Sequence, residues 1–436
     1  MRRLFYSEIV SFNCTFRTVI TKGEAIHFTK SKFGSIFDRN LDIQLIKQKM
    51  KLIYTLVLLT SLLYTNAQTT LRLNSNIVLP KDSIESKALI TSLNNFLISA
   101  RKSNQENKFV FESEKIETLI LLDELNGIER SEKFQDIFFY KPYLTNAVLL
   151  NDSSYNVKVS YIGINDNEAL LRANFEFIAH KTRNSFTFSS PLLLNTRNWK
   201  TKKTGNNIFH YQNTINLKKV NEFNELTSIY DEKLKSINKR VDYYCCENII
   251  ELQKLIGVEY KLDYNGRTQG IWSSKLENRK LVILGNDNAN FNEFDPHDLW
   301  HDRLSLVIPR KEVNRAIDEG CAYLFGGSWG LTWKEIFDAF NEQIASEENT
   351  NWIEIKETPI YFKTSGFSNS ADYIINALLV QKIEKEQGFS GVWEFLRVGP
   401  SEKGNIRYYE ILKKLTGISK ATYNKEVWKL IRKEIR

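Results

Sequence analysis

The sequence predicts an α+β protein, and three observations carry that prediction. Apolar residues recur at helical spacing between Lys81 and Leu125. From Val148 to Phe188 apolar and polar residues alternate with period two, in stretches separated by Asn-Asp turns. Beyond Asp295 the spacing is helical again to the end of the chain. Runs of helix and runs of strand, without a steady strand–helix alternation, place helical and antiparallel layers side by side.

That pattern begins late in the chain. Met50-Lys51 is followed by an uncharged, mostly apolar run from Leu52 to Leu63 and then by Tyr64-Thr-Asn-Ala-Gln68. A basic start, a short apolar stretch and a small residue at Ala67 have the layout of a secretory signal peptide cut after Ala67. The run is too short to span a bilayer comfortably, and no cysteine stands near the cut to carry a lipid. Neither a stable membrane span nor a lipid anchor is expected. Residues 1–49 read as an upstream extension, 50–67 as the signal peptide, and the mature protein as exported, periplasmic or extracellular.

Removing that start changes the charge argument. The formal net charge is +8, but ten Lys and Arg against four Asp and Glu lie within the first 51 residues. The remainder stays near about +2 with its signs interspersed, so nucleic acid is not expected as a partner. Cys245, Cys246 and Cys321 follow the cut. So sparse and odd a set is no disulfide framework; it allows buried thiols or one bond from Cys321 to the neighbouring pair.

In order along the chain, Lys81 to Ala100 and Glu114 to Leu125 read as helices, the second with Ser113 as N-cap and Gly127 past its end. Strands follow at Val148–Leu150, Tyr155–Tyr161, Ala169–Phe177 and Ser185–Phe188, an antiparallel sheet with one wet face. These make a first domain, 68–204. A second, 205–436, opens with a strand at Phe209–Tyr211, a polar helix from Lys218 to Ile237, a strand at Arg240–Tyr244 and a helix from Asn248 to Leu255. Lys280-Leu-Val-Ile-Leu284 is a strong strand that could present an edge to an extended peptide. His180 and His210 stand alone and read as structural.

The chemistry gathers in Phe294-Asp-Pro-His-Asp-Leu-Trp-His-Asp-Arg-Leu304. Asp295 suits an N-cap and Pro296 the first helical position, so a helix starts here. His297 and His301 are then i and i+4, on one face and within reach of one metal ion. Only five histidines occur in the chain, so this spacing at a marked helix start stands out. Eighteen residues on, Asn314 to Gly327 forms a second helix ending at a glycine pair and offers Glu319 as a third ligand. Three protein ligands and one open position are what a catalytic Zn2+ needs.

At this point the chain resembles the gluzincin metallopeptidases, whose His-Glu-x-x-His motif is followed by a glutamate ligand on a later helix, often in a Glu-Gly-x-Ala run, here Glu319-Gly-Cys-Ala. The resemblance covers 205–436 in layout and about thirty residues in motif. It implies a zincin-like domain, a zinc ion held by His297, His301 and Glu319, and hydrolysis of a peptide or protein substrate through a zinc-bound water. One departure stands out: Asp298 occupies the place of the family's catalytic glutamate, one methylene shorter. It reads either as the base that activates the water or as a first-turn acid complementing the helix dipole. The two functions in view are an exported zinc-dependent peptidase and an inactive zincin-like domain that binds a partner in the cell envelope. Tyr323 and Tyr373 read as core aromatics or as donors to an oxyanion, and Trp329 and Trp333 as core or groove lining.

Overall fold

The computed structural model describes residues 71–236, 239–346 and 350–435; the extension and signal-peptide readings, 1–49 and 50–67, lie outside them. The fold is α+β, as its periodicities predict. In chain order it runs β1 (Arg72–Leu73), α1 (Ser83–Ser99), α2 (Lys115–Leu125), β2 (Lys141–Asn151), β3 (Ser154–Asn165), β4 (Glu168–Lys181), β5 (Phe186–Ser189), α3 (Leu192–Asn195), β6 (Lys200–Thr204) and β7 (Asn207–Tyr211). It continues with α4 (Leu217–Leu234), β8 (Arg240–Cys246), α5 (Ile249–Ile256), β9 (Val258–Lys261), β10 (Gly270–Leu276) and β11 (Arg279–Gly285). The helical half follows: α6 (Pro296–Ser305), α7 (Arg315–Gly326), α8 (Trp333–Gln343), α9 (Trp352–Glu357), a hairpin of β12 (Tyr361–Thr364) and β13 (Phe367–Ser370), then α10 (Ala371–Gln387), α11 (Phe389–Leu396), α12 (Ile406–Thr416) and α13 (Tyr423–Glu434).

Two sheets organise these elements. The first has the order β1-β2-β3-β4-β5, with β9 joining β4 beside β5. Leu89, Leu93, Phe96 and Leu97 of α1 are buried in the core of this sheet, where Phe96 meets Phe177 and Phe188 edge-on or tilted. The second has the order β10-β11-β8-β7-β6, parallel at β11/β8 and β8/β7 and antiparallel at both rims.

The second sheet is largely apolar on both faces, which is why Leu281 to Leu284 reads as an unbroken hydrophobic run. Tyr244, Cys246, Leu281 and Ile283 face the core shared with α1, α2 and α5. Val241, Tyr243, Cys245 and Val282 face the helical half. The expected boundary at 204/205 falls in the turn of the β6–β7 hairpin. Strand β9 from the second segment extends the first sheet, and α2 from the first segment packs on β10 and β11 of the second. Thr69–Arg436 accordingly forms one compact unit.

Several local expectations change. Strand β11 is an inner strand, because β10, whose Ser273-Ser274 pair leaves little apolar–polar alternation in the sequence, lies along its outer side. Helix α2 starts after a short 3-10 turn at Glu112–Glu114, and its N-cap position is Glu114, not Ser113. Cys245, Cys246 and Cys321 are buried free thiols, with burial pushing Cys245 up to about 12. His180 donates to or accepts from Ser189 and stacks on Phe111, while His210 meets Asp242 and stacks on Tyr244. Among the described residues no helix is long and apolar enough to cross a membrane.

Candidate metal centre

Helix α6 begins where Asp295 caps it, its carboxylate accepting from the His297 backbone N–H at 2.9 Å, with Pro296 at the first helical position. Three further contacts fix the helix. Arg303, fully buried, donates from Nε and one terminal nitrogen to Asp231 of α4 at 2.6 and 2.7 Å. Lys280 of β11 reaches Asp302 at 2.8 Å. Lys275 of β10 donates to the Leu306 carbonyl at 2.7 Å, a cation at the negative end of the helix. Trp300, buried, packs on Tyr230 and Phe325.

Helix α7, capped by Asn314, runs alongside α6. Its glycines let backbones touch. A Cβ on Gly326 would lie 2.6 Å from the His297 nitrogen, and one on Gly320 would lie 2.8 Å from the Ala377 nitrogen of α10. The Glu319-Gly-Cys-Ala run therefore places an acid next to a residue that must be small for α10 to approach.

These helices bring His297, His301 and Glu319 together. The Nε2 atoms of the two histidines are 3.1 Å apart, and Glu319 Oε2 lies 3.4 Å from the first and 3.8 Å from the second. For ligand bonds of about 2.0–2.1 Å, the edge of a tetrahedron is about 3.3 Å, so the three atoms already sit near the spacing of a tetrahedral zinc site. The side chains are 13%, 28% and 19% exposed, which leaves a solvent-facing side for a fourth ligand.

Each imidazole is also oriented from behind. His297 Nδ1 donates to the Gly327 carbonyl at 2.8 Å, and His301 Nδ1 donates to Asp318 at 3.0 Å. Carbonyl and carboxylate oxygens only accept, so both Nδ1 atoms carry hydrogen and both Nε2 atoms are left as lone-pair nitrogens in the neutral rings. Two lone pairs this close repel, and the pair calls for a proton or a cation between them. Without a metal that is a proton. Burial opposes charge on His301, but Asp318 and Glu319 outweigh it and push its pKa up to about 10. Glu319 is the counterpart: burial would raise it, yet the nearby His297 and His301 hold it well below the ordinary carboxylate range. The donor set thus fits a divalent cation, which would replace that proton.

Asp318 and the Gly327 carbonyl are the functional groups the sequence did not single out. Asp318 also accepts from Trp300 Nε1 at 3.1 Å, so one carboxylate ties a ligand to the core. Its position next to Glu319 was visible, but its direction was not. Arg315, one turn before Glu319, lies 3.6 Å from the other carboxylate oxygen.

Asp298 is one residue beyond His297, about 100° around the helix, and open to solvent. Although the side chain reaches solvent, the protein packed around its carboxyl takes part of its water and, with repulsion from Asp295, raises its pKa above the ordinary value, while His297 and His301 pull the other way. Tyr323 is buried and its hydroxyl is committed to Asn369 at 3.0 Å, whereas Tyr373 is half-buried and meets the Tyr323 ring edge-on, with the Glu319 carboxylate raising its pKa and the Arg315 guanidinium lowering it. Trp333 donates to Glu434, away from the triad.

No protein-family model and no curated protein matches this chain. The functional argument therefore rests on the site itself, where His297, His301 and Glu319 are the one group of three His, Cys, Asp or Glu side chains, among the described residues, close enough together to hold a metal ion.

Proposed function

We propose that the protein is an exported zinc-dependent peptidase, with His297, His301 and Glu319 as the metal ligands and Asp298 as the general base. The convergence of three donor atoms at tetrahedral spacing, each histidine oriented by an acceptor behind it, carries this reading. Bound zinc would supply Lewis-acid polarisation of a peptide carbonyl and lower the pKa of water. The chain's own part is to hold that geometry and to move a proton. Gly327 and Asp318 fix the two rings, and Arg315 steadies the Glu319 carboxylate. Asp298, on the strip of α6 beside the histidines and with its basicity raised by partial loss of water, takes a proton from the attacking water and passes it to the leaving amine. Tyr373, near Glu319, is placed to donate to the developing oxyanion.

One observation favours a second reading, a zincin-like domain that binds a cell-envelope partner without turnover. Aspartate at 298 is a methylene shorter than glutamate, and a displacement of about 1 Å at a reacting group costs on the order of 100-fold in rate.

A single set of proteins tests both. Wild type should carry about one zinc, and His301→Ala and Glu319→Ala should lose it. At matched zinc occupancy, wild type should cleave members of a broad peptide library and Asp298→Asn should not. Equal metal in all proteins removes the site. Cleavage by wild type that survives Asp298→Asn removes Asp298 as base, and zinc without any cleavage leaves the binding reading. Export is tested separately: the secreted protein should begin at or near Gln68 by N-terminal sequencing, and a cytoplasmic species retaining 1–67 would refute it.

A further inference from the structure

The turn that follows α7 carries a side chain that neither the fold nor the metal site explains. Ser328 and Leu331 exchange both backbone hydrogen bonds, at 3.0 and 2.9 Å, around Trp329 and Gly330, whose φ values are +54° and +76°. Positive φ at both central residues is the pattern of a type I′ turn, where asparagine, aspartate and glycine are at home. A bulky aromatic in the left-handed region is a steric outlier, and such outliers gather at binding and catalytic sites. Trp329 is also 43% exposed. One face of its ring stacks on Phe367 of β13, with centroids 4.3 Å apart and planes 3° from parallel. A second face is left for something else.

Both partners in the stack are anchored to the metal site. The carbonyl of Gly327, two residues before Trp329, holds His297 Nδ1. Asn369, two residues after Phe367, accepts from the Tyr323 hydroxyl. The Tyr323 ring lies 5.4 Å from the His297 ring. Two Cα steps span at most about 7–8 Å, so the platform follows closely on the residue that orients His297, on that ring's side of the triad.

We propose that Trp329 is the specificity-determining residue of this cleft, a stacking platform for an aromatic or other large apolar side chain of the peptide beside the bond that is cut. The proposal rests on the peptidase reading above. It commits the substrate class: peptides with a bulky apolar residue at that place bind in preference to those with a small one. A purely structural latch between the turn and the hairpin would need neither an exposed ring face nor a tryptophan at a position that favours asparagine.

The test uses the zinc-loaded full-length protein and two small metal-directed peptide mimics, N-acetyl-phenylalanine hydroxamate and N-acetyl-alanine hydroxamate, titrated by calorimetry. Wild type should bind the phenylalanine compound about tenfold more tightly. In Trp329→Asn, which suits the turn, the two compounds should bind alike, with the alanine compound's Kd and the zinc content unchanged. Trp329→Phe should keep most of the preference. Equal binding of both compounds by wild type, or a preference that survives Trp329→Asn, overturns the proposal while leaving the metal cleft standing. Loss of zinc in Trp329→Asn would mark the side chain as a latch and overturn it too. If neither hydroxamate binds the zinc-loaded wild type, the peptidase reading falls, and this proposal with it.

Discussion

Asp242 shows how far a single carboxylate can be tuned by the groups around it. It lies in β8, only 2% exposed, and burial alone would raise its pKa. The hydrogen bond from His210 and the guanidinium groups of Arg240 and Arg279 win, holding it at about 2. A depressed carboxylate contributes stability above its unfolded pKa of about 3.9, and that contribution is lost as pH falls through the folded value. The window is therefore between about pH 4 and pH 2, and the stake is at most about 2 kcal/mol, since both arginines are partly solvated and screened. Denaturant midpoints of wild type should fall across that window more steeply than those of Asp242→Asn. Parallel curves for the two proteins would show that Asp242 contributes nothing there.

At the scale of elements, the histidine-bearing helix α6 is placed by a buried ion pair more than by its own sequence. Arg303 and Asp231 meet in two short hydrogen bonds with almost no exposure, and Ser236 adds a bond to the same carboxylate at 2.5 Å. Removing one charge strands the other in a low-dielectric core, which costs about 3–5 kcal/mol, whereas exchanging both for apolar residues of similar size is often close to neutral. Asp231→Ala should thus lower stability by that amount and weaken zinc retention, because α6 loses its fixed position. Asp231→Leu combined with Arg303→Met should recover much of the stability. Chemical denaturation and zinc content read both effects. A double variant as unstable as the single one would show that the pair is held for packing and not for charge.

At the scale of the whole molecule, the second sheet is the common wall of two cores, each packed against one of its faces. Cutting the chain at 204/205 would separate β6 from β7 and strip α2 from β10 and β11. A fragment of residues 205–436 would then leave Tyr244, Cys246, Leu281 and Ile283 covered by α5 alone, baring an apolar surface that soluble domains rarely leave open. Expressed apart, 68–204 and 205–436 should aggregate or bind hydrophobic dyes; coexpressed, they should copurify as one particle. Two independently folded fragments with sharp thermal transitions would refute the shared core.

What the sequence determined by itself is local. The Asp295-Pro296 start, the i, i+4 histidines and the glycine pair closing α7 are short-range signals, so the helices and the three candidate ligands were legible without a fold. So were the alternating strands β3 and β4, where one face meets a core and the other water. Strand β10 escaped because its alternation is weak, and the β12–β13 hairpin because it is four residues a side within a helical region. Tertiary structure brings Glu319, which the sequence already names, up to the histidines, and it alone decided that Asp318 and the Gly327 carbonyl orient them. It also decided that β11 is an inner strand and that two segments share one sheet. Each of these depends on contacts between residues far apart in the chain, and long-range partners leave no period or spacing for a sequence to display.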